Sequence, residues 1–148
     1  MASKVEEKLR RLTLETRLLE ETAEALQSRI NMTNTVMTDL TYSNMTLEGL
    51  EKNKIGSELL VPIGGGSYIK AKIHDLDNVI VGIGGGVSVE KTLQETKEVV
   101  KKRLESLEKT RSSLQTRFVQ VAQKISENRG EFEGLASGLR KGNPSGNV

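Results

Sequence analysis

Residues 58–91 read ELLVPIGGGSYIKAKIHDLDNVIVGIGGGVSVEK, two runs of β-branched and aliphatic residues, each broken by a glycine triplet. Such triplets either cradle a phosphate or turn the chain, and their flanks decide which. A P-loop needs Gly-x-x-x-x-Gly-Lys followed by Ser or Thr, and the sequence contains no Gly-Lys pair. A dinucleotide fingerprint needs a strand, the glycines and then a helix; here Gly84, Gly85 and Gly86 are followed by Val87 and more strand-like sequence. The triplets are therefore hairpin turns, where glycine supplies the positive φ that tight connections between twisted strands require. Four strands are expected, over 58–63, 67–73, 78–83 and 86–90. HDLDN, residues 74–78, joins the two hairpins, and Pro62 marks an edge or a bulge.

On both sides of this centre the apolar period changes from two to the three-four alternation of a heptad. Upstream it runs through Val5, Leu9, Leu12, Thr16, Leu19, Ala23, Leu26, Ile30, Thr33, Met37, Leu40, Asn44 and Leu47. Downstream it runs through Leu93, Lys97, Val100, Leu104, Leu107, Arg111, Leu114, Phe118, Val121, Ile125, Asn128, Phe132, Leu135 and Leu139. A repeat sustained over about six heptads specifies a coiled-coil strand rather than an ordinary amphipathic helix. Helices are expected over 4–53 and 93–139, followed by a flexible tail over 140–148. Ser3 with Glu6 and Thr92 with Glu95 have capping-box spacing, and Gly56 is placed to end the first helix. Each helix is about 70 Å long at ~1.5 Å per residue, and neither can bury its stripe alone.

The two arms match in length and are joined by a compact centre, so the expected solution is an antiparallel coiled coil within one chain. In such a pair an a position faces a d position, and the numbers of facing residues share a constant sum. The heptad phases leave 137 or 144 as the nearby choices. A sum of 144 sets Leu26 against Phe118, Ile30 against Leu114 and Ala23 against Val121, and matches Thr16 with Asn128 and Thr33 with Arg111. A sum of 137 would bury Arg111 against Leu26 and Asn128 against Leu9, leaving polar groups unpaired in an apolar layer. The fold class is thus α+β, a long antiparallel coiled-coil helical hairpin with two central β-hairpins, in one domain spanning 1–148.

Composition narrows the function. Only 35% of the residues are hydrophobic and 3% aromatic, too few for a conventional globular core. Lys and Arg number 22 against 20 acids, a balance that argues against a dedicated nucleic-acid binder. The absence of cysteine removes disulfides, thiolate nucleophiles and cysteine-based zinc sites. With no apolar leader near the start and no run approaching the ~18 apolar residues of a span, the protein is expected to be soluble and intracellular, with no membrane partner.

No constellation supports catalysis. His74 is the only histidine and sits in the polar inter-hairpin loop. The pairs Glu6-Glu7 and Glu20-Glu21 flank helical stripes as solvated coiled-coil charges, and Lys101-Lys102-Arg103 is interrupted by nearby Glu98, Glu105 and Glu108. Arg111 at a seam position reads as a register-setting residue. No cofactor or metal is expected, and the protein is not read as an enzyme.

The hairpins pose a different problem. Two hairpins without a covering partner are marginal by themselves, and their open edges expose backbone donors and acceptors. Joining an intersubunit β-barrel with hairpins of other subunits would close those edges and bury Val61, Ile63, Ile69, Ile73, Val79, Val81 and Ile83.

The order helix, two hairpins, helix, with ELLVPIGGGSYIKAKI followed by NVIVGIGGGVSVEK, resembles the alpha class of the prefoldin family in its archaeal form. The resemblance implies a heterohexamer of two alpha and four beta subunits. Its hairpins would form two eight-stranded barrels, with the coiled coils projecting from them. It also implies a cytoplasmic, ATP-independent chaperone that holds unfolded client proteins and passes them to group II chaperonin. The rival reading is a structural or tethering coiled-coil oligomer without chaperone activity.

Antiparallel pairing brings Leu9 and Leu12 beside Phe132, Leu135 and Leu139, beyond the polar layer of Thr16 and Asn128. Gly130, Gly134, Gly138 and Gly142 recur here at every fourth residue, each about 1 kcal/mol less favourable than Ala in a helix. This tip is expected to loosen and offer its five apolar side chains to a non-native client.

Overall fold

The computed structural model describes residues 2–142. Helix α1 spans Ala2–Glu51, strands β1 to β4 span Glu58–Gly64, Ser67–Lys72, Asn78–Gly84 and Val87–Thr92, and helix α2 spans Leu93–Gly142. The described residues divide into two compact units, 2–34 with 109–142, and Thr35–Glu108. No described helix is long and apolar enough to cross a membrane.

The first unit holds the outer parts of both helices. Leu26, Ile30 and Leu114 form a buried cluster with Phe118 and Val121 packed on it, the neighbours that a sum of 144 brings together. Arg111 Nη1 donates to Asn34 Oδ1 at 3.3 Å, so the seam cation finds a polar acceptor rather than Leu26. Threonine lowers helix propensity, but Thr13, Thr22 and Thr33 each return their hydroxyl to the carbonyl of the residue four earlier.

α1 begins at Ala2, so Ser3 lies inside the first turn and not at the cap position expected of it. Half-buried Val5 and Leu9 carry the helix past that cap. α2 likewise continues through Gly142, which makes Arg140, Lys141 and Gly142 helical where a flexible tail was expected. Cations in the last turn face the negative end of the helix dipole and favour this extension. Residues 143–148 of the expected tail lie outside the described residues.

The second unit holds the hairpins and the inner parts of the helices. α1 stops at Glu51, two residues short of the expected end, because Asn53 folds back: its Nδ2 donates to Gly49 O at 2.9 Å and its N–H to Leu50 O at 3.1 Å. Gly56 then turns with φ of +86°. At the start of α2 the capping box closes in both directions, with Glu95 N–H donating to Thr92 Oγ1 and Thr92 N–H donating to Glu95 Oε2, both at 3.1 Å. Lys97 Nζ and Gln94 Nε2 reach Glu51 at 2.9 and 2.8 Å, tying the base of α2 to the end of α1.

β1 pairs with β2 and β3 with β4, both antiparallel, as two separate two-stranded sheets. Gly65 and Gly66, with φ of +58° and +75°, and Gly85 and Gly86, with +60° and +76°, occupy the central positions of two-residue turns. Gly86 is therefore a turn residue rather than the first residue of the fourth strand. The register slips between Pro62 and Gly64 and again between Gly82 and Gly84. Because the second slip occurs without proline, the glycine turn rather than Pro62 generates the bulge.

Candidate oligomerisation surface and distal seam

The hairpins present apolar side chains that the chain itself does not cover. On β1 and β2, Leu60, Val61, Ile63, Tyr68 and Ile69 are all exposed, and together they occupy both faces of the ribbon. Only the base is closed: Ile73 is buried, with its N–H bonded to Ser57 O at 2.9 Å and its carbonyl accepting from Gly56 N–H at 2.8 Å. The second hairpin behaves differently. Val81 is buried and Val79 half-buried, turned toward a groove that also contains Leu40, Leu47 and Val100, while Ile80 stands 73% exposed on the opposite face. Arg103 Nη2 donates to Gly82 O at 2.9 Å and pins this hairpin to α2. Ile83 and Val87, beside the turn, are exposed.

Of the seven side chains assigned from sequence to a barrel, Val61, Ile63, Ile69 and Ile83 are thus free for another subunit. Ile73, Val79 and Val81 are wholly or partly used within the chain. Leu60, Tyr68, Ile80 and Val87 are additional exposed candidates that the sequence reading passed over. Strand alternation could have flagged Ile80, since a residue next to inward-facing Val79 and Val81 must face outward. In the linker, Asp75 Oδ1 accepts from Asp77 N–H at 2.7 Å and Asn78 N–H at 3.2 Å. Those two backbone donors hold its carboxyl below the usual range. His74 is exposed beside it, and no group of three or more His, Cys, Asp or Glu among the described residues could hold a metal.

At the outer end of the coiled coil the structure shows a closed seam. Leu12 is buried, Leu9, Leu135 and Leu139 are half-buried, and Phe132 is 37% exposed. Lys8 pairs with Glu131 and Arg129 with Glu20 across the two helices. The Lys8 hydrogen bond and charge, with a further contribution from Lys124, hold the Glu131 carboxyl below its ordinary range. Asn128 is only 2% exposed, and its Nδ2 has no acceptor. Exposing Leu9, Leu12, Leu135 and Leu139 together requires the seam to part, and Asn128 sits where parting would relieve an unsatisfied donor.

A family model described as Prefoldin subunit matches residues 19–136, from the coiled coil through both hairpins and back. The chain belongs to the prefoldin family. A prefoldin subunit alpha of Methanococcoides burtonii is 32% identical over 125 residues, covering 84% of this chain and 91% of the relative. That of Pyrococcus horikoshii is 34% identical over 127 residues, covering 80% and 86%. A filamentous PFD from Methanocaldococcus jannaschii, solved by cryo-electron microscopy, shares the fold with a TM-score of 0.69 at 24% identity, covering 80% of this chain and 98% of that one. Prefoldins are chaperones, and this chain is a prefoldin chaperone subunit. Sequence reasoning missed Arg103 as the clamp of this prefoldin's second hairpin, because its partner is a main-chain carbonyl distant in sequence.

Proposed function

We propose that the chain is the alpha-class subunit of a cytoplasmic prefoldin heterohexamer, two alpha with four beta, which holds unfolded proteins without ATP and delivers them to group II chaperonin. The observation that carries this reading is the pair of separate two-stranded sheets with exposed apolar side chains and unpaired edges. Barrel closure with other subunits satisfies those edges and covers Val61, Ile63, Ile69 and Ile83. Ile73, Val79 and Val81 then act as the inner support that fixes each hairpin's direction. The two glycine triplets serve turns, and the chain has no P-loop, in keeping with action that does not consume nucleotide.

Client holding is assigned to Leu9, Leu12, Phe132, Leu135 and Leu139. Phe132 is the exposed foothold, and the others become available as the seam opens. Weak attachment at several coiled coils gives firm holding through multivalency, and each weak contact is quickly released. The test mixes the chain with a beta-class prefoldin subunit, weighs the assembly by native mass spectrometry and follows aggregation of a chemically unfolded client without ATP. Assembly with aggregation suppression is expected; assembly without suppression would favour the tethering reading. Deleting residues 1–12 and 132–148, with matching truncations in the partners, is expected to leave assembly intact and weaken client holding. Full suppression by the truncated complex would move the client site away from the tip.

A further inference from the structure

A second apolar stripe runs along α1 outside the seam. Leu18, Ala25 and Met32 recur at intervals of seven residues, each one position before seam residues Leu19, Leu26 and Thr33, and Leu14 extends the stripe outward. Leu14, Leu18 and Met32 are 64%, 63% and 67% exposed, although outer positions of a two-helix coil are normally polar. Strict heptad spacing distinguishes this stripe from scattered surface hydrophobics, which need no explanation.

The stripe also has the shape of a helix-binding surface. Leu18, Glu21, Thr22 and Ala25 stand at i, i+3, i+4 and i+7, the four corners that receive one knob from a packed helix. They line a groove of about 420 Å³ whose rim includes Arg29 and Arg117. Ala25 leaves the hole deep, and the Thr22 hydroxyl is occupied with Leu18 O at 2.9 Å. Glu21, at the groove's edge, pairs with Arg17 at 3.7 Å. Among the described residues Arg29 and Arg117 form no ion pair, so the rim of this groove carries uncommitted positive charge.

We propose that this face docks an acidic amphipathic helix as a third strand of the coil, its apolar residues seated along Leu14, Leu18, Ala25 and Met32 and its carboxylates toward Arg29 and Arg117. The charge complementarity selects the occupant: apolar knobs alone would fit any amphipathic helix, but a basic one would place cation against cation. The inference stands apart from the chaperone reading, because it concerns recognition of an already helical partner on a face that does not require the seam to open.

The test uses the full chain and a labelled synthetic helix of about three heptads, with Leu at its a and d positions and Glu on its flanks, read by fluorescence anisotropy. The acidic peptide is expected to bind about tenfold more tightly than its Lys-flanked counterpart, a difference of ~1.4 kcal/mol. Leu18→Ser with Met32→Ser is expected to weaken binding about tenfold without changing the helical circular dichroism, since both side chains lie outside the seam. Arg29→Glu with Arg117→Glu is expected to reverse the preference toward the Lys-flanked peptide. Equal binding of the two peptides, or unchanged binding by the Leu18 and Met32 variant, would overturn the proposal. So would sedimentation of the chain with phosphatidylserine vesicles while the acidic peptide is ignored, since the face would then be a membrane surface.

Discussion

An amide nitrogen buried without an acceptor loses its hydrogen bonds to water and gains none in return, which costs about 1–3 kcal/mol. Asn128 Nδ2 is such a group, in a seam whose buried apolar residues are Leu, Ile and Val. Asn128→Leu is expected to raise the stability of the outer coiled coil by about that amount, measured by denaturant unfolding of the isolated chain, and to slow hydrogen exchange there. Gly134 acts in the same direction by another route. A Cβ at this position meets nothing within 4 Å, so Gly134→Ala should add about 1 kcal/mol of helix stability without a clash. If both variants stabilise the tip and client holding falls in parallel, the weakness is functional; unchanged holding would make it incidental. The opposite sign applies at Gly65, whose φ of +58° is left-handed. Gly65→Ala is expected to destabilise the first hairpin by about 1–2 kcal/mol, although the space beside it is open.

Between elements, the register is the decisive quantity, because every seam contact depends on one integer. Cysteines replacing Leu26 and Phe118 should form a disulfide readily, while cysteines replacing Leu26 and Arg111 should not; gel mobility under oxidising conditions separates the outcomes. The buried cluster of Leu26, Ile30 and Leu114 was legible in sequence because two long heptad arrays leave few ways to match polar with polar. Helix ends were less legible. They depend on single side chains such as Asn53, which closes α1 through Gly49 O, and on seam packing that carries α1 past Ser3. The Lys8 to Glu131 pair adds a pH dependence at the outer end. Because the folded state lowers the Glu131 pKa, the pair contributes stability above the ordinary carboxylate range and loses it as pH falls through the lowered value. Amide protection factors in the outer helices, taken relative to intrinsic exchange at each pH, should therefore fall at pH below the ordinary carboxylate range, and Glu131→Gln should remove most of that dependence.

For the whole molecule, the hairpins are the unfinished part. Two-stranded ribbons with exposed Ile63, Ile69, Ile80 and Ile83 are marginal in water, so assembly is the state in which they are stable. Ile63→Asp with Ile83→Asp is expected to prevent assembly in native mass spectrometry while leaving helical circular dichroism largely intact, since both side chains are exposed. Val81→Asp should act differently. Val81 is buried against the chain itself, so that charge would release the second hairpin from its support before any partner arrives.

The sequence by itself determined the succession of elements, the coiled-coil register and the hairpin turns. Each of these depends on periodicity or on backbone freedom at a glycine, which are properties of neighbouring residues. Only the tertiary structure decided which apolar strand residues are spent inside the chain and which remain for a partner. Val79, Val81 and Ile83 look alike along the strand, and what separates them is the wall of helix beside the first two and the slip in register at Gly84, neither of which is written in the local sequence.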